Sequence, residues 1–312
     1  MKQFLVALLI GLSVISYSQK KLQTELTPAR GHYSQLQKLS AEPQASGAAL
    51  DKLTFHYDAA KAERRLSLKP YYLKQVSPEA FQLPDPPANS SAQTRAELNY
   101  LLALQAQRTH QDEVNSLYKA NIYYNPRVTP ADSTYAHFRN NLFYIGRSLG
   151  TWFNPETLPL TADFMAHVWQ DASYFIWTFK YKYLRVRPYK LDSAIKNLEE
   201  TDWAAYPSGH SANSYVNAFI YQTLAPAFAD VFLKDAYDMA HSREIIGVHY
   251  PSDSEVSRML ARQLVNKLFE NREFLKDFEA VKQEWAANAQ ESFVVPKLAS
   301  EKKKAACAKT CD

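Results

Sequence analysis

The chain has 312 residues, 46% of them hydrophobic, and a formal net charge of +4. That length allows one large domain or two ordinary ones, and the apolar fraction fits a globular protein with a sizeable core. So small a net charge argues against a nucleic-acid partner, and 7 Gly beside 20 Tyr and 16 Phe favour aromatic-lined helices over a turn-rich β fold.

Residues 1–18 read as a secretory signal peptide. Lys2 gives the positive start, Phe4 to Ile15 the apolar region, and Ser16-x-Ser18 a small-residue cleavage site. The apolar run is short of a membrane span, and no later stretch approaches 18 apolar residues. The mature chain is therefore expected to be periplasmic or secreted, with no stable membrane insertion. Residues 19–66 are polar and mixed, and read as a poorly ordered extension with a short helix at 57–66. Tyr71 to Asn89 should be irregular and laid over the domain, since Pro84, Pro86 and Pro87 exclude regular helix.

From Ser90 the pattern turns helical, with Ser91 or Thr94 as cap and Leu98, Leu101, Leu102 and Leu104 as apolar face. Residues 110–122 form a second expected helix, and Asn125-Pro126 a break. Pro130 to Leu149 reads as helix with Phe138, Leu142, Phe143 and Ile145 inward, until Asn154-Pro155 breaks it. Residues 160–185 carry Phe164, Val168, Ala172, Phe175, Ile176 and Phe179 near a 3.6-residue period. Pro188 should end that helix, with Arg187 at its fray. A helix after Pro207 carries Val216, Phe219 and Ile220, and another spans about 234–246 and stops at Gly247. A last helical stretch, 251–290, starts at Pro251 and is broken around Asn271. The expected fold is an all-α single domain over 67–290. The Lys-rich tail, 291–312, reads as a solvated end, in which Cys307 and Cys311 could form a local disulfide in an exported protein.

Three clusters carry chemistry. They are Lys180 with Arg187-Pro188, then Pro207-Ser208-Gly209-His210, then Ser242-Arg243 with His249 and Asp253. Each alone has an ordinary reading: charges at a helix end, a helix cap, a surface ion pair. Together they supply the parts of a phosphoryl-transfer pocket. Arg, Lys and backbone N–H groups at a helix start hold the oxygens. Two histidines share attack and leaving-group protonation. Asp253, four residues after His249, is placed to fix its tautomer. The residues alone leave open which histidine attacks.

The spacing Lys180-x6-Arg187-Pro188, Pro207-Ser208-Gly209-His210, Ser242-Arg243-x5-His249-x3-Asp253 resembles the three-part signature of the type 2 phosphatidic acid phosphatase and vanadium haloperoxidase superfamily. Within it, the bacterial class A non-specific acid phosphatases are the best match. The resemblance runs from about Tyr71 to Trp285. It implies an all-helical bundle, metal-free chemistry and no cofactor. It implies His249 as nucleophile through a phosphohistidine, Asp253 orienting it, and His210 as the acid. Lys180, Arg187, Ser208, Gly209 and Arg243 would bind phosphate. Many class A relatives carry a Cys where this chain has Ile246, and the loop 189–206 has none either, so a disulfide joining those places is absent.

The expected activity is acid phosphatase, with a small-molecule phosphomonoester as substrate and vanadate as inhibitor. Loops 121–135 and 189–206 are expected to select it. Tyr206 is expected at the leaving group, and His167 and His241 nearest the pocket among the other histidines. Helical relatives often associate, so a homo-oligomer is an open alternative. Rival readings are a lipid-phosphate phosphatase, a vanadate-dependent haloperoxidase and a phosphoester-binding protein without turnover.

Overall fold

The computed structural model describes residues 47–289. The signal peptide, the extension before residue 47 and the tail with Cys307 and Cys311 lie outside the described residues. Those described are helical, with no strand among them. In chain order the helices are α1 (Gly47–Leu50), α2 (Ala59–Leu66), α3 (Ala92–Gln107), α4 (His110–Ala120), α5 (Tyr135–Asn141), α6 (Pro159–Tyr183), α7 (Pro188–Leu191), α8 (Gly209–Leu224), α9 (Ala229–Ile245), α10 (Pro251–Leu268) and α11 (Arg272–Asn288). None is long and apolar enough to cross a membrane.

Helix α8 is the axis. All of its residues from Ser211 to Gln222 are buried, and it packs against α6, α9 and α10. A helix apolar all round belongs inside. Among its polar side chains, Asn217 accepts from Trp169 Nε1 at 2.7 Å and donates to the Leu142 carbonyl at 2.8 Å. Helix α6 begins with Pro159 in its first turn and has no cap of its own. Glu284 of α11 substitutes, accepting from the backbone N–H groups of Leu160 and Thr161, each at 2.8 Å. The carboxylate satisfies two orphan donors and faces the positive end of the helix.

Asn271 caps α11 by accepting from Phe274 N at 3.0 Å, so the break expected there is present. Residues 71–89 are irregular apart from one 3₁₀ turn, Pro78–Ala80. They are pinned by buried Asp171, which accepts from Tyr72 N at 3.0 Å and Leu73 N at 3.2 Å.

Two expectations are corrected. The helix expected over Pro130 to Leu149 shrinks to Tyr135–Asn141. The Leu142 carbonyl is taken by Asn217 and by the Tyr221 hydroxyl at 3.0 Å, while Gly146 N donates to Asp235 at 2.9 Å. Gly146 has φ of +91°, and a Cβ there would lie 2.8 Å from Phe232. The four residues Leu142 to Ile145 are all buried, which no single helical face could achieve.

The extension is also ordered from residue 47. Asp58 caps α2, Phe55 N donates to the Leu184 carbonyl at 2.7 Å, and Asn89 Nδ2 donates to the Leu50 and Leu53 carbonyls. Its polar composition hid this, because the contacts run to residues far along the chain.

Replacing Asp171 with Ala leaves two buried N–H groups without an acceptor. Urea unfolding at pH 7 should show a loss of about 2–4 kcal/mol.

Candidate active site

The three clusters meet in one cavity of about 520 Å³, lined among others by Lys180, Arg187, Gly209, His210, Arg243 and His249. Lys180 stands on the last full turn of α6. That helix stops at Tyr183, because Leu184 takes a left-handed conformation with φ of +46°. Arg187 is extended, as a residue before proline prefers, and sits ahead of α7 rather than at the fray of α6. Gly209 opens α8, and His249 and Asp253 flank the start of α10.

The cations are held mostly by neutral acceptors. Lys180 Nζ donates to the Ala204 carbonyl at 2.6 Å. Arg187 donates from Nε to the Trp203 carbonyl and from Nη1 to the Val248 carbonyl, each at 2.7 Å. Carbonyls orient these charges without cancelling them. Arg243 differs: its Nη2 is paired with Glu199, while its buried Nε and Nη1 have no hydrogen-bond partner among the described residues. Unsatisfied buried guanidinium donors favour an oxyanion. A Cβ on Gly209 would meet nothing closer than Ile176 at 3.9 Å, so no crowding by the protein requires glycine there, and the bare backbone faces the cavity.

Ser208 caps α8 and is fully buried. Its Oγ accepts from the Ser211 hydroxyl at 2.8 Å, and it does not line the cavity.

His249 is polarised from both sides. Its Nδ1 is 2.9 Å from Asp253 Oδ2, and its Nε2 is 2.8 Å from Arg187 Nη1. A guanidinium only donates, so Nε2 carries the lone pair and Nδ1 the proton. Asp253 Oδ2 also accepts from Tyr250 N at 3.0 Å, and Oδ1 from Arg185 Nη1 at 2.6 Å. Burial alone would raise the Asp253 carboxyl, but Arg185 and the bond from His249 bring it down to about 2. Burial and then Arg187 push His249 well below the ordinary range for histidine, against the pull of Asp253.

His210 Nε2 lies 3.0 Å from the Ala120 carbonyl, which assigns the proton to Nε2 and the lone pair to Nδ1. Burial and then Arg243 hold its pKa well below normal. Burial and then Arg187 do the same to Lys180.

Two essential-looking residues escaped the sequence reading. Arg185 donates to Asp253 and also, at 3.1 Å, to Glu97 Oε2. Glu97 accepts in addition from Ser252 N at 2.8 Å and Ser252 Oγ at 2.9 Å. Both charged side chains are 2% exposed, so this is a buried chain, Glu97–Arg185–Asp253–His249. A signal existed: Glu97 stands beside Leu98 on the apolar face of α3, where a carboxylate needs a partner.

Both expected loops line the mouth, through Tyr123 to Arg127 and Glu199 to Trp203. Helix α2 adds Arg65, whose guanidinium lies 4.7 Å from the Trp177 ring and 4.6 Å from the Trp203 ring. Tyr206 donates its hydroxyl to the Pro84 carbonyl at 2.6 Å and does not line the cavity. His167 stacks on Tyr71 and His241 on Tyr237, and neither lines the cavity. In place of a disulfide, the 189–206 loop is tied by Leu198 N donating to the Ile246 carbonyl at 3.1 Å.

No family model matches the sequence. The chain is similar to the curated non-specific acid phosphatase of Providencia stuartii, 35% identical over 112 residues, or 34% of this chain and 45% of the relative. The non-specific acid phosphatase of Salmonella typhi is 26% identical over 142 residues, 44% of this chain and 57% of the relative. The chain thus spans about half the length of the curated relatives it matches. Among solved structures, the crystal structure of a bacterial vanadium-dependent iodoperoxidase superposes with a TM-score of 0.51 at 18% identity, covering 75% of this chain and 62% of that one. The relatives and the shared fold agree with the resemblance read from the three motifs.

Arg185→Met strands two buried carboxylates, and should cost about 3–5 kcal/mol in urea unfolding. Adding Glu97→Gln should recover part of that loss. A phosphate dianion among the three cations would offset their effect on His210. Phosphate that binds as the dianion at pH 7 releases the proton its monoanion fraction carries, and His210 should take one up. The net uptake, read by calorimetry in buffers of different ionisation enthalpy, should be more positive than in His210→Ala, which loses the histidine's share.

Proposed function

We propose that this chain is a periplasmic or secreted acid phosphatase that hydrolyses phosphomonoesters through a phosphohistidine on His249. The observation that carries this reading is the His249 ring. Its Nδ1 is fixed by Asp253, and its Nε2 lone pair lies among Arg187, Lys180 and Arg243 in one cavity.

In the first step Nε2 attacks phosphorus, and the bond from phosphorus to the leaving oxygen breaks. Lys180, Arg187 and Arg243 hold the equatorial oxygens, where charge accumulates. With Nε2–H of His210 bound to the Ala120 carbonyl, protonated Nδ1 supplies the proton to the departing alkoxide. In the second step neutral His210 takes a proton from water, the oxygen attacks phosphorus, and the phosphorus–nitrogen bond breaks. Inorganic phosphate leaves and His249 is restored. The groups facing the phosphoryl oxygens are N–H donors carrying positive charge, which repel a metal cation, so the reading is metal-independent.

The test is hydrolysis of a chromogenic phosphomonoester by residues 19–312 from pH 4 to 9, with chelator present. Activity should peak at mildly acid pH, resist chelation and yield to vanadate, which mimics the five-coordinate transition state. His249→Ala should lose about a thousandfold or more in kcat/KM. Activity surviving in that variant would overturn His249 as nucleophile. Halide oxidation with peroxide and vanadate, without phosphatase activity, would favour the haloperoxidase reading that the iodoperoxidase fold raises.

A further inference from the structure

Among the three cations that the motifs bring to the cavity, Lys180 and Arg187 are bonded to backbone carbonyls, and Arg187 also to the Thr201 hydroxyl and His249. Arg243 alone of the three is paired with a carboxylate among the described residues, that of Glu199. The carboxylate is thus an anion already seated on a guanidinium that the phosphoryl group needs. Its place in the fold lets it move. Glu199 lies in the 189–206 loop outside any helix, lines the cavity, and its side chain is 30% exposed against 3% for Arg243. The backbone around it is anchored. Leu198 N donates to the Ile246 carbonyl at 3.1 Å, and Asn197 Nδ2 to the Glu199 carbonyl at 2.8 Å. A turn of the side chain toward the mouth is therefore enough to release Arg243, with the loop left in place.

We propose that Glu199 is an internal competitor for phosphate: it occupies Arg243, is displaced when a phosphoryl group enters, and returns as inorganic phosphate leaves. The inference rests on the phosphatase reading and adds to it a residue that sets affinity. Two anions on one guanidinium, Glu199 at Nη2 and a phosphoryl oxygen at the open Nε and Nη1, repel each other in a desolvated cavity. The ion pair that Glu199 gives up is thus subtracted from the affinity for the entering phosphate. The same repulsion weakens the hold on product. The alternative role is positioning, in which Glu199 stays on Arg243 and orients it toward the bound phosphoryl group. The two roles predict opposite signs when the charge is removed.

The experiment compares wild type with Glu199→Gln and Glu199→Asp. It uses calorimetric binding of inorganic phosphate, KM and kcat for a chromogenic monoester, and thermal unfolding with and without phosphate. If Glu199 competes, Glu199→Gln binds phosphate about ten-fold tighter, with a matching fall in KM and stronger product inhibition. Without phosphate it melts lower than wild type, since the same broken contact leaves Arg243 uncompensated, and saturating phosphate narrows the gap. Glu199→Asp, with a shorter reach, falls between. Weaker or unchanged phosphate binding in a folded Glu199→Gln overturns the inference and assigns Glu199 the positioning role. If Glu199→Gln does not fold, the Asp variant decides by the same sign. Wild type that neither binds phosphate nor hydrolyses the ester overturns the phosphatase reading, and the inference with it.

Discussion

The structure depends on one buried cation, Arg185, bridging two buried carboxylates. Asp253 and Glu97 both lie out of water, and neither could be ionised there without the guanidinium between them. Arg185 also lies face-on to the Tyr250 ring, 3.8 Å from its centroid. Burial raises the Glu97 carboxyl, with Arg185 drawing it back, while Asp253 is held at about 2 and stands ionised behind His249. A carboxylate there favours a cationic ring, as the proposed attack by Nε2 would require. The chain also ties together three stretches remote in sequence: α3 through Glu97, the segment after α6 through Arg185, and the start of α10 through Ser252 and Asp253. Fold and site are joined at this point, so damage to one reaches the other.

In front of the ring the logic reverses. Lys180 and Arg187 are held by the carbonyl oxygens of Ala204, Trp203 and Val248, dipoles that fix position without supplying a countercharge. Burial first, and then the neighbouring cations, lower the pKa of both histidines. The site therefore stores repulsion between cations. In the proposed reaction an entering dianion would relieve it and raise the basicity of His210, coupling substrate binding to protonation of the acid.

Much of this was legible in sequence, and what was not has a common cause. The caps, the break at Asn271, the turn at Gly247 and the His249–Asp253 pair are local. Each is fixed by residues within four positions of one another, where periodicity and capping chemistry operate. Arg185 and Glu97 were missed because they are 88 residues apart and each looks unremarkable in its own neighbourhood. Leu142 to Ile145 were read as a helix face because they are apolar. Only the claim of Asn217 and Tyr221 on the Leu142 carbonyl, made from α8, stops the helix. The same holds for α2, whose polar sequence gives no hint that Trp177 and Trp203 lie against Arg65.

This division also separates chemistry from selection. The proposed phosphate-handling groups sit on short motifs near helix ends. The mouth is assembled from α2, the loop after α4, one face of α6 and the 189–206 loop. Asp202 of that last loop pairs with Lys61, and Trp203 touches both Lys61 and Arg65, so loop and N-terminal helix are held to each other. Glu199 and Thr201, a few residues earlier, contact Arg243 and Arg187. One five-residue segment therefore joins the mouth of the cavity to two of its buried arginines. In the proposed phosphatase, a substituent that shifts this wall would act on the carboxylate standing on Arg243, and so would couple substrate shape to phosphate affinity.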